Sequence, residues 1–106
     1  FYLEAKRVIK DKVIHLKNEG IEDVSIYGIN HISEVLFIVL KELGLELASV
    51  VEVKKEGEEW FGYKVIGMEE FVKNKDSVLV FASFDQSEID RFCKEYEGVK
   101  VVVLRE

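Results

Sequence analysis

The residues with the most chemical promise stand where the chain changes its local preference. Gly28, Asn30 and His31 separate "DVSIYG", an alternating run rich in β-branched and aromatic side chains, from "HISEVLFIVLKELG", an uninterrupted helix-forming run closed by Gly44. A strand that turns at a glycine into a helix aims the free N–H groups of the first helical turn at the bend, and an anion is favoured there. Glu52 follows Gly28 by 24 residues, close to the spacing at which a carboxylate accepts hydrogen bonds from a ribose hydroxyl. Ser83 and Asp85 end the strand-like run "SVLVFAS" and its turn, and complete the set of candidate binding residues.

The glycine fingerprint for a dinucleotide is GxGxxG, in which the second glycine admits pyrophosphate and the third lets the helix approach the strand. Here the pattern reads Gly28-Ile29-Asn30-His31-Ile32-Ser33, so only the first glycine is present. Asn30 tolerates left-handed dihedrals and Ser33 is small, which allows the turn, but the Asn30 side chain crowds the phosphate position. His31 reads either as a phosphate donor or general base, or as a capping or surface histidine. Ser83 and Asp85 suit ligand contact and equally suit turning the chain and capping a helix. Trp60, Phe61 and Tyr63 either cover an adenine or sugar face or form a small core under their loop. With two histidines, one cysteine and no HxxxH or CxxC spacing, the sequence offers no metal-binding set, and no catalytic constellation stands out.

Positioning such residues takes a folded scaffold. At 106 residues the chain has the length of one domain, too short for a cofactor domain plus a substrate domain. Its hydrophobic content of 48% argues for a real core, and a net charge of -6 argues against nucleic acid or anionic membranes as direct partners. No segment reaches the roughly 20 apolar residues of a membrane span, and the lone Cys93, expected to be buried beside Phe92 and Tyr96, fits a cytoplasmic setting. Abundant Glu and Lys suggest a thermophilic source, against which the lack of proline counts. The start at "FYLEAKRV", without methionine, is that expected of a piece of a longer protein.

Apolar residues at Leu3, Val8, Ile9, Val13, Ile14 and Leu16 make the first 20 residues an amphipathic helix, which packs on the sheet, links to an upstream domain or pairs with a second copy. Strands are expected at Asp23 to Tyr27, in "LELASVVEV", at Lys64 to Ile66, at Ser77 to Ser83 and at Val99 to Leu104, with helices at Ile32 to Leu43, Met68 to Lys73 and Glu88 to Tyr96. This alternation gives an α/β fold: a three-layer open parallel sheet in the order 3-2-1-4-5 over residues 23–104, with an extra N-terminal helix. Ligands of such sheets sit beyond the carboxyl ends of the strands where the order reverses, here between the first strand and the fourth. The six consecutive apolar residues Val35 to Leu40 exceed what one helix face hides, which favours a homodimer.

Taken together, "VSIYGINHISEVLFIVLKELGLELASVVE", "GYKVIGMEEF" and "SVLVFAS" followed by a helix resemble small Rossmann-like, NAD(P)-binding-like domains. These run as a strand with a "YGAG" turn, a "GLELVGVVD" strand, a "G.PV" turn, a short helix and a "D.VLVAS" strand. Similar domains form the N-terminal part of sugar acyltransferases, a lobe of sugar methyltransferases and the C-terminal half of winged-helix transcription regulators. In the last group a helix like "FYLEAKRVIKDKVIHLKNEGIEDV" leads into the first strand. The resemblance implies a non-catalytic ligand-sensing or assembly domain of a transcription regulator, with a nucleotide, NAD(P)-like or acidic metabolite as ligand. The alternative is the NAD(P)- or nucleotide-sugar-binding lobe of a larger enzyme, a transferase or oxidoreductase. Where relatives carry a second glycine this chain has Asn30, and where many carry Asp it has Glu52, which keeps a carboxylate for ribose.

Overall fold

Alternating strand and helix patterns meet a common sheet in the computed structural model, which describes residues 2–73 and 78–104. The elements are α1 (Tyr2–Asn18), β1 (Asp23–Tyr27), α2 (His31–Leu43), β2 (Glu46–Val51), β3 (Glu59–Trp60), β4 (Tyr63–Ile66), α3 (Met68–Phe71), β5 (Leu79–Phe81), α4 (Gln86–Glu95) and β6 (Val101–Val103). Ser77, where the fourth strand was expected to begin, lies outside the described residues.

The sheet has six strands in the order β3-β4-β2-β1-β5-β6, parallel throughout except for β3 against β4. The expected all-parallel order 3-2-1-4-5 is therefore corrected: the sheet is mixed, and an antiparallel edge strand is added. Trp60 pairs with Tyr63 across Phe61-Gly62, whose φ values of 49° and 86° give the left-handed pair that a two-residue hairpin needs to match strand twist. A Phe-Gly turn lacks the Asn-Gly or Asp-Gly signal of such hairpins, and a two-residue strand is too short to show alternation. The unusual positive φ at Phe61 is supported by packing, since its ring stacks on Phe37 at 5.2 Å.

Two apolar layers make the arrangement three-layered. On one face, Ile9, Val13 and Leu16 of α1 and Leu36, Val39 and Leu40 of α2 meet Val24, Ile26, Val50, Val65 and Val80. On the other, Met68, Phe71, Ile89 and Phe92 of the two shorter helices meet Val51, Leu79 and Phe81. The inner strands feed both layers with neighbouring residues, as parallel strands covered on both sides must. β2 keeps this up across a register shift opposite Val24 and Ser25. There Ser25, fully buried, shares a hydrogen bond of 2.7 Å with the Ser49 hydroxyl.

Several details differ from the sequence pattern. The stripe that α1 buries is Ala5, Ile9, Val13 and Leu16, spaced three and four apart, while Leu3 is exposed. The helix packs inward, and Lys6 pairs with Glu42 of α2 at 3.2 Å while Lys17 Nζ donates to the Leu43 carbonyl at 2.6 Å. The apolar excess of α2 is thereby absorbed largely within the chain: Val35, Leu36, Val39 and Leu40 are buried, Phe37 packs on the β3–β4 hairpin, and Ile38 stays exposed. β2 ends at Val51 instead of Val53, which is exposed in a short 3-10 turn. Cys93 is exposed, not buried, because α4 turns only Ile89 and Phe92 fully inward, with Tyr96 half-buried beside them.

Candidate functional site

Three strand ends are stitched together at the carboxyl edge of the sheet. The Gly28 N–H donates to the Val51 carbonyl at 2.9 Å, and the Ala82 N–H donates to the Tyr27 carbonyl at 3.0 Å. β2, β1 and β5 therefore stop side by side, and the chain leaves them in different directions because the strand order reverses between β1 and β5. Gly28 makes the first bend with φ of 103°, where a side chain would be strained and a Cβ would lie 3.5 Å from Asn30 Nδ2.

A cleft of about 360 Å³ opens over these ends. Of the six residues singled out from sequence, Gly28, Asn30, Glu52 and Ser83 line it; His31 and Asp85 do not. His31 begins α2 with a side chain 94% exposed, its Nδ1 3.5 Å from Glu34. Asp85 caps α4, and its Oδ1 accepts from the Ser87 and Glu88 N–H groups at 2.9 and 3.2 Å and from the Ser87 hydroxyl at 2.7 Å. Ser83 is buried and accepts the Asp85 N–H at 3.0 Å, so its hydroxyl shapes the turn while facing the cleft.

Asn30 defines the cleft chemically. Its backbone is extended, with φ of -163°, in place of the left-handed conformation the sequence allowed. The Oδ1 atom accepts from the N–H groups of Ile32 and Ser33 at 2.8 and 3.1 Å, and Nδ2 donates to the Ala82 carbonyl at 3.0 Å. Ser33 closes a reciprocal box, its Oγ accepting the Asn30 N–H at 2.8 Å. The Asn30, Ile32 and Ser33 N–H groups, donors that a phosphate would use at this helix, are thus engaged by the chain itself.

The remaining walls come from residues that the sequence reading passed over. Tyr27, Phe81 and Phe92 form an aromatic floor, with centroids 5.5 Å apart for Tyr27 and Phe81 and 4.6 Å for each of the other two pairs. Glu52, Glu88 and Glu95 stand around it with Lys54 and Arg91. Glu88, Arg91, Phe92 and Glu95 recur at helical spacing on one face of α4, the signal that would have placed them together. Burial, reinforced by the charges of Glu52, Tyr96 and Glu95, raises the Tyr27 phenol above its ordinary pKa. The lining combines the half-buried Tyr27 ring over the buried Phe81 and Phe92 with hydroxyls and carboxylates, a set able to hold a hydroxylated ligand with a ring against Tyr27.

Trp60, Phe61 and Tyr63 are absent from this lining. They close on Phe37 of α2, with Trp60 and Tyr63 edge-on at 5.4 and 6.1 Å, and make the small core that was one of their two readings. No helix of the described residues is long and apolar enough to cross a membrane. The α/β fold with its mostly parallel sheet is compatible with a Rossmann-like domain. No known protein family, curated protein or solved structure compared with the chain matches it.

Proposed function

We propose that this chain is a ligand-sensing domain with a degenerate nucleotide-binding fold, non-catalytic in itself, that serves as the C-terminal regulatory part of a transcription regulator. The observation that carries the ligand-binding half of this reading is the meeting of Glu52, Gly28, Asn30 and Ser83 around one cleft at the carboxyl ends of β1, β2 and β5. These residues are spread over more than half the chain, and a topological switch point is where α/β sheets hold nucleotides. Glu52 supplies the hydroxyl acceptor: its carboxylate has no hydrogen bond or ion pair among the described residues. The regulatory half rests on the resemblance of the chain, helix α1 included, to the C-terminal halves of winged-helix regulators.

The test is a thermal-shift screen of the purified chain with nucleosides, nucleotides, NAD, NADP, coenzyme A, nucleotide sugars and S-adenosylmethionine, repeated on Glu52→Ala. A ligand at about 100 times its dissociation constant adds roughly 2.7 kcal/mol, a readily visible rise in melting temperature. The reading expects such a hit and its loss in Glu52→Ala. A screen without hits at millimolar concentration, or turnover by the chain with a nicotinamide cofactor, overturns it.

A further inference from the structure

Resting on the ligand-sensing reading, we infer that the cleft selects against phosphate: its ligand is a neutral or cationic nucleoside whose 5′ end carries no phosphate group. Both helices that begin at this edge of the sheet already hold an oxygen of the chain itself at their N-termini. Asn30 Oδ1 occupies that of α2, and the Asp85 carboxylate occupies that of α4. A phosphate arriving at α2 has to displace a side chain anchored on both sides, through Oδ1 to two N–H groups and through Nδ2 to the Ala82 carbonyl. At α4 it meets a carboxylate of its own sign.

The walls point the same way. Three carboxylates, Glu52, Glu88 and Glu95, outnumber the two cations Lys54 and Arg91, so the cleft repels an anion and favours a cation or a neutral molecule. The acceptors that remain match donors on the ligand, and a sugar diol presents two hydroxyls in the spacing of one carboxylate. Tyr27, half-buried over the buried Phe81 and Phe92, offers a heterocycle an apolar contact. A cleft of about 360 Å³ suits one nucleoside and is small for a dinucleotide.

The experiment compares adenosine, S-adenosylmethionine, AMP and NAD by titration calorimetry on the intact chain, on Glu52→Gln and on Asn30→Gly. The capped helix of Asn30→Gly is expected to survive, because glycine is itself an acceptable cap. The inference expects adenosine or the sulfonium compound to bind at least tenfold more tightly than AMP, Glu52→Gln to weaken that binding, and Asn30→Gly to narrow the gap by freeing the Ile32 and Ser33 donors. AMP or NAD binding as tightly as adenosine overturns the phosphate-free ligand while leaving the sensing site in place. Failure of all four probes to bind overturns both, and circular dichroism of each variant separates lost binding from lost folding.

Discussion

Two aromatic clusters lie on opposite faces of one sheet and do different work. Trp60, Phe61 and Tyr63 are neighbours in sequence, and they close on Phe37 to seal the edge where the β3–β4 hairpin folds back. Tyr27, Phe81, Phe92 and Tyr96 come from β1, β5 and α4 and its end, and the first three of them floor the cleft. The hairpin side chains, close together in sequence, pack chiefly on one another and on Phe37, although the Phe61 ring stays exposed. The dispersed set is assembled by the parallel register of Tyr27 on Phe81, at the end of the sheet where strands stop and space opens. Charge divides the clusters as well. The hairpin cluster has Lys41 over the Phe37 ring, whereas the cleft cluster has three carboxylates against two cations on its rim.

The contrast is sharpest in Trp60→Ala. Trp60 is 9% exposed and packs with Phe37 and Phe61, so its loss costs about 3–5 kcal/mol, read as a lower midpoint in urea. Because the hairpin cluster lies outside the cleft, the folded fraction should keep its ligand affinity. Weakened binding at full folding would make the hairpin part of the site and erase the distinction. Phe92→Leu makes the opposite case. It keeps an apolar side chain under the cleft but breaks the ring contacts to Tyr27, Phe81 and Tyr96, for a loss of about 1–1.5 kcal/mol in stability. A ligand ring stacked on this floor should lose about tenfold in affinity, equivalent to ~1.4 kcal/mol. Unchanged affinity would make the lower cluster merely structural too.

These contrasts also show what the sequence holds. The limits of β1 and the end of α2 at Gly44 were legible because each is set by local chemistry, alternation and a left-handed terminus, whereas the Asn30 cap reads in sequence only as a turn residue tolerant of left-handed dihedrals. The hairpin was not, since a Phe-Gly turn depends on the Phe37 ring beneath it, a contact 24 residues distant. Spacing and topology drew Gly28, Asn30, Glu52 and Ser83 to what is one cleft in the fold. His31 and Asp85 follow the other of their two readings, a surface histidine and a helix cap, because nearness to a strand end does not settle which way a side chain turns or whether a helix claims it. Tyr27, Phe81 and Arg91 were missed for a related reason. Each is unremarkable in its own segment, and only the sheet and α4 bring them to one cleft.

Asn30→Ala measures how far the turn between β1 and α2 depends on self-capping. Removing the side chain releases two helix N–H groups and the Ala82 carbonyl, with an expected loss of about 1 kcal/mol. Added sulfate should restore more stability to this variant than to the unmodified chain, because an anion can then take the vacated donors. Equal effects of sulfate on the two proteins would mean that the N-terminus of α2 was never an anion position.

The smallest effect is the most specific to the acidic cleft. Burial, and then the charges of Glu52, Tyr96 and Glu95, raise the Tyr27 pKa, and burial together with Glu95 raises that of Tyr96. A phenol with a higher pKa in the folded chain than in the unfolded one binds its proton more tightly when folded. Its contribution to stability is complete below the ordinary phenol range near pH 10 and is lost as pH rises through the raised folded value. Denaturant midpoints taken through the alkaline range should therefore fall more steeply for the unmodified chain than for Tyr27→Phe, which keeps the ring and removes the titrating group. Glu52→Gln should lie between them, since it removes one of the charges and leaves burial in place. Parallel curves for all three would show that the Tyr27 phenol adds no pH dependence to folding and that the Glu52 carboxylate does not act on it, leaving the cleft cluster no electrostatic coupling to its rim through Tyr27.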